Sequence, residues 1–117
     1  MVSFNRSSLQ LLEMIRQNLA IKQGDSITIE ETVEEMTSLA GYAARMFIKT
    51  TAKTDLLEKS GTIAELVITY ELLNEETKLL PVGHHLFETK IFDAEDHVFT
   101  LSIGSFIVEE SLETDPT

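Results

Sequence analysis

The residues best able to do chemistry in this chain crowd into one stretch: His84, His85, Glu88, Asp93, Glu95, Asp96 and His97. Imidazoles and carboxylates this close in sequence raise the question of a metal site. A strand over the stretch pulls them apart, because alternation sends His84 and Glu88 to one face and His85 to the other. His97 falls at the far end of the hairpin, about 25 Å from His84 at strand rise, so the histidines do not converge. Asp93, Glu95 and Asp96 then form an ordinary polar turn, and neither a metal nor a cofactor is expected.

A second candidate is His85, which faces Ser105 across the hairpin. A nucleophilic serine with a histidine base also needs an orienting acid and an oxyanion hole, and the sequence offers neither. A hydrogen-bonded structural histidine is the simpler reading. Glu34 and Glu35 fall in the first turn of an expected helix, where the helix dipole favours carboxylates. Either could activate water as a general base. The candidate catalytic residues are therefore Glu34, Glu35 and His85. The chain has no phosphate-cradling glycine loop, no HExxH and no GxSxG.

The elements that must position these groups follow from periodicity. Val33, Met36, Ala40, Ala43 and Phe47 recur at intervals of three and four, and Thr32 with Glu35 makes a capping box. Together they predict a long buried helix over 32–53, with small residues around Gly41 where another backbone comes close. Ser7 with Gln10 caps an earlier helix, whose apolar face is Leu9, Leu12, Ile15 and Leu19 and whose end is Gly24. Ile27 and Ile29 alternate with polar neighbours in a strand over 26–32. Alternation predicts another strand over 62–73, and then a hairpin of 84–93 with 97–109. Pairing Asp93 with His97 sets Ile91 opposite Phe99, Thr89 opposite Leu101, Phe87 opposite Ile103 and His85 opposite Ser105, all on the core side. Residues 74–78 are a loop whose far end Pro81 and Gly83 punctuate, the pattern assigns no element to Leu79-Leu80, and 110–117 form a frayed tail. The fold class expected is α+β in a single domain, 1–117. An antiparallel sheet of about four strands packs on the long central helix, with the N-terminal helix beside it.

Three of these pieces carry a resemblance. Leu39-Ala-Gly-Tyr-Ala-Ala looks like the central helix of hotdog-fold thioesterases, and Glu65 to Leu73 is similar to the strand that follows it. Ile91 to Val108 resembles their final hairpin. The resemblance implies a hotdog-like domain that hydrolyses or binds acyl-CoA thioesters. The acidic residue that many members carry on the central helix would fall at Thr37, and Glu34 and Glu35 are the nearest carboxylates.

The totals narrow the partners. A chain of 117 residues with 43% hydrophobic and 25% charged residues is long enough to bury a core. It has no cysteine, which excludes a disulfide framework and a thiolate metal site and favours a reducing, cytoplasmic setting. The net charge of −11 is uneven: residues 1–53 carry six bases and six acids, and residues 54–117 carry three bases and 14 acids. That balance argues against nucleic acid and against anionic membrane. Val67, Phe92, Val98 and Phe106 point to the outer face of the expected sheet, too much apolar surface to leave in water. The functional expectation is a small homo-oligomeric binding or assembly domain, most simply a two-fold dimer through that face, taking a partner protein or an apolar ligand. The alternative is the hotdog-type thioesterase.

Overall fold

The structure, a computed structural model, describes residues 2–6, 14–34 and 36–111. Eight strands account for most of them: β1 (Val2–Arg6), β2 (Ile15–Lys22), β3 (Ile27–Val33), β4 (Ala43–Thr50), β5 (Asp55–Ala64), β6 (Val67–Leu72), β7 (Gly83–Phe92) and β8 (Val98–Glu109). The one helix among the described residues is α1, a single turn over Asn74–Thr77. The expected α+β class with a long central helix is overturned, and the domain is nearly all β.

The stretch read as the central helix is instead the end of β3, an irregular loop and β4. Its spacing of three and four coexists with a period of two: Ala44, Met46 and Ile48 are buried while Ala43 and Arg45 are exposed. Sheet neighbours on both sides of β4 favour the second pattern, because pairing with β5 and β7 holds the strand extended and buries Ala44, Met46 and Ile48 together in the core. Gly41, at φ +84°, is a turn residue rather than a helix-packing one. The expected N-terminal helix fails in the same way. Residues 7–13 lie outside the described residues, and β2 continues from Ile15 with Leu19 and Ile21 turned inward.

The strand order is β1-β3-β6-β5-β4-β7-β8-β2. All pairings are antiparallel except the two at the ends, where β1 runs parallel to β3 and β2 parallel to β8. Strand β5 belongs to both halves, with its residues up to Gly61 pairing with β4 and Thr62–Ala64 pairing with β6. The sheet thus folds over on itself into a small layer (β1, β3, β6) and a large layer (β4, β7, β8, β2), nearly closing as a barrel. Gly61 sits at the fold, where a Cβ would come within 2.7 Å of the Tyr70 ring. Between the layers lie Ile29, Val33, Ile68 and Leu72 from one side and Met46, Ile48, Phe87, Ile91, Phe106 and Val108 from the other. Leu39 and Leu80 close the two ends.

The hairpin turn forms as read, with the Asp93 N–H donating to the His97 carbonyl and Ile91 opposite Phe99. A register shift after Lys90 then moves every later pair by one: Thr89 meets Ser102, Phe87 meets Gly104, and His85 meets Phe106. Phe106, expected on the outer face, is fully buried. The strand expected over 62–73 is really the end of β5, a tight turn at Glu65 (φ +56°) and β6.

Candidate functional site

The same register shift builds the chain's one buried acid–hydroxyl group among the described residues. Beyond Lys90 the pairing skips one residue of β8, so Leu101 and its neighbour Ser102 both turn inward. Such bulges re-aim side chains. Ser102 lands beside Thr89, its cross-strand partner on β7. Strand β3 supplies the acid, since its odd positions Ile29, Glu31 and Val33 all face the core.

Glu31 has no exposed surface, and neither have Thr89 and Ser102. The Thr89 Oγ1 donates to one carboxylate oxygen at 2.8 Å, and the Ser102 Oγ donates to the other. The carboxylate thereby ties the small layer to the large one at mid-height. Tyr70, from β6, completes the group. Burial, and after it the charge of Glu31, push its phenol far above the usual range, so the ring stays neutral. Its hydroxyl has no hydrogen-bond partner among the described residues.

This group has the residue types of an acid–base site and lacks its access. A substrate would have to open the space between the layers, because Glu31, Thr89 and Ser102 have no surface exposed to solvent. Its chemistry is that of a buried polar clamp, in which hydroxyl donors offset the cost of taking a carboxylate out of water.

The residues nominated from sequence lie elsewhere. Glu34 is exposed in the turn after β3, and Glu35 lies outside the described residues. His85 is buried near the other end of the barrel, where its Nε2–H donates to the Pro81 carbonyl at 2.6 Å. Glu34 is three residues past the Glu31–Thr89 contact in one direction and His85 four residues before it in the other. At strand rise that separates them by roughly 20 Å, so they do not form one site. The acidic turn also closes on itself. The Asp93 carboxylate accepts from the His97 ring and from the backbone N–H groups of His97 and Glu95, which hold it below the usual carboxylate range. No group of metal-ligating side chains occurs among the described residues.

The accessible candidate is the outer face of the large layer. Phe47 on β4, Leu86 on β7 and Ile103 on β8 line a depression of about 200 Å³, with Lys49, Lys53 and Glu88 at its rim. Register sets Arg16 beside Ile103 on the β2 side. Phe92, further along β7, is partly covered by the Arg45 guanidinium, 5.4 Å from the ring centre. Val98, also on this layer, is 54% exposed, whereas Val67 lies on the small layer, so the apolar residues expected to share one patch are divided. Glu31, Phe47, Leu86 and Ile103 were missed by sequence reasoning. The signal for Glu31 was available: extending the alternation of Ile27 and Ile29 by one step turns it inward.

No family model matches this sequence, and no curated protein matches it. Among solved structures, the N-terminal domain of ORF48 from phage TP901-1 is similar in fold, with a TM-score of 0.58 at 14% identity over 82% of this chain and 96% of that one. Looser likenesses are to the fibronectin(III)-like modules of CbhA from Clostridium thermocellum (0.49, 12% identity, 82% and 91%) and to CopC from Methylosinus trichosporium OB3b (0.42, 12%, 65% and 74%). The likeness to the phage domain concerns the fold alone. With no long helix to wrap, the hotdog resemblance and the thioesterase alternative drawn from it are withdrawn. No helix among the described residues is long and apolar enough to cross a membrane.

Proposed function

We propose that the domain is an assembly module that packs against another protein surface, in the first place a second copy of itself, through the outer face of the large layer. The observation that carries this reading is a contrast in access. The one catalytic-looking group among the described residues is sealed in the core, while Phe47, Leu86 and Ile103 hold an apolar depression open to solvent. Apolar side chains grouped on a rigid sheet and rimmed by charge are the anatomy of a docking patch. The phage neighbour is described as an N-terminal domain, which supports a unit that works as part of something larger.

The test is a dilution series in light scattering, run on the wild type and on Leu86→Asp and Ile103→Asp. Both side chains are only half-buried on an outer face, so the substitutions leave the core intact. The wild type is expected to gain mass with concentration and both variants to stay monomeric. A wild type that stays monomeric at high micromolar concentration overturns the reading.

A further inference from the structure

The two outer faces of this chain differ in charge. The large layer exposes Arg16 and Lys22 on β2, Arg45 and Lys49 on β4, and Lys90 on β7, with Lys53 in the turn that follows β4. Against these six bases stand four acids at strand positions, Asp55, Glu58, Glu88 and Glu109, while Asp93, Glu95 and Asp96 collect in the β7–β8 turn at one end of the layer. Three of the acids are taken by Arg45, Lys49 and Lys90 in ion pairs, at 2.8, 3.4 and 3.8 Å. Arg16, Lys22 and Lys53 make no ion pair among the described residues. Arg16 and Lys53 flank the Phe47–Leu86–Ile103 depression from opposite sides.

The small layer is the converse. Its outward strand positions are Thr28, Glu30 and Thr32 on β3 and Val67, Thr69 and Glu71 on β6, with Glu34 and Glu65 at its margin. Its described outward side chains include no base. Val67 is the one large apolar side chain among those outward strand positions, half-buried and beside Thr32.

From this asymmetry we infer that copies of the chain associate head to tail, the basic outer face of the large layer of one receiving the acidic outer face of the small layer of the next. The inference rests on the assembly role proposed above and specifies its geometry. A two-fold contact of the large layer with itself would bring Arg16, Lys22 and Lys53, which make no ion pair among the described residues, against the same bases of the second copy, and like-charge juxtaposition across an interface is costly. The head-to-tail contact sets bases against acids and lays Val67 over an apolar depression. Because donor and acceptor faces lie on opposite sides of one molecule, such a contact does not close as a two-fold dimer and builds a ring or an open chain.

The experiment uses the full chain in analytical ultracentrifugation. The wild type is expected to form species beyond the dimer, and high salt should weaken them. Glu30→Lys with Glu71→Lys spoils the acidic face, and Lys53→Glu with Arg16→Glu spoils the basic face. All four residues lie on outer faces or in a turn. Each variant alone is expected to associate at least about tenfold more weakly than the wild type, the effect of one strong charge conflict. Mixed in equal amounts, the two variants should recover a one-to-one complex, because each retains the face that the other lacks. A closed wild-type dimer that survives Glu30→Lys with Glu71→Lys overturns the head-to-tail geometry and leaves the assembly role standing. A mixture that remains monomeric also overturns the geometry, and a monomeric wild type overturns both.

Discussion

Removing a hydroxyl from the Glu31 clamp is the sharpest test of the fold's internal logic. Thr89→Val keeps the side-chain shape and deletes the donor that lies 2.8 Å from the carboxylate. Ser102→Ala deletes the donor to the other oxygen. All three groups have no exposed surface, so water cannot replace a lost donor without opening the barrel. A hydrogen bond to a charged group contributes about 1.5–3 kcal/mol net, and each substitution should cost about that much. Against a total of about 5–15 kcal/mol for a domain of this kind, the loss is easily read in a urea titration. The same two substitutions in a Glu31→Leu background should cost far less, because the hydroxyls then serve no charge. The double-mutant cycle between positions 31 and 89 is expected to give a coupling of about 1–3 kcal/mol. Should Glu31→Leu fold poorly, Glu31→Gln retains the shape and removes the charge, and the coupling should shrink in the same direction. Equal costs for Thr89→Val with and without the carboxylate would refute the clamp.

Other perturbations separate packing from bonding. Tyr70→Phe removes a buried hydroxyl that has no partner among the described residues, and stability should change by less than about 0.5 kcal/mol or rise; a loss in the urea midpoint equivalent to a full hydrogen bond would refute this. A Cβ at Gly104 would sit 1.5 Å from the Gln17 carbonyl oxygen, so Gly104→Ala should displace β2 from β8 and speed hydrogen exchange over residues 15–22. Gly61→Ala meets the Tyr70 and Ile68 side chains at 2.7 and 2.8 Å, and is expected to cost about 1–3 kcal/mol by overpacking in thermal melts. Burial works to raise the Glu76 carboxyl, but the Leu73 N–H and the Lys59 ammonium outweigh it and hold it below the usual 4.5. A depressed carboxylate contributes stability that is complete above the ordinary value and is lost as pH falls through the folded one. Lys59→Met should therefore weaken the acid-side loss of stability below pH 4.5, read as a shallower acid limb in urea midpoints taken across pH.

The parts of the fold legible in sequence are those set by neighbours two residues apart. The alternation of β3, the turn at Asp93–His97 and the pairing of Ile91 with Phe99 needed only local pattern, and they stand. What local pattern misses is any choice made by a distant strand. Residues 32–53 satisfy helical and extended periods at once, and the ladders offered by β5 and β7 decide between them. The bulge beside Ser102 left no mark in composition or spacing. It nonetheless turned Phe106 from an expected outer residue into a core one and moved His85 away from Ser105.

The buried clamp and the charged face have one origin. In β3, alternation turns Glu31 inward, where it must find donors or cost several kcal/mol. A slipped register would strip Glu31 of Thr89 and Ser102 together, which makes the carboxylate a check on how the two layers align. In β2 and β4 the same alternation turns Leu19, Ile21, Met46 and Ile48 inward and leaves Arg16, Lys22, Arg45 and Lys49 on the outside. With Lys53 these are five of the six bases in residues 1–53, and they share the outer face of the large layer. A core locked by one acid lets the outer face stay rigid, and a rigid face with bases around an apolar depression is suited to hold another surface in one orientation.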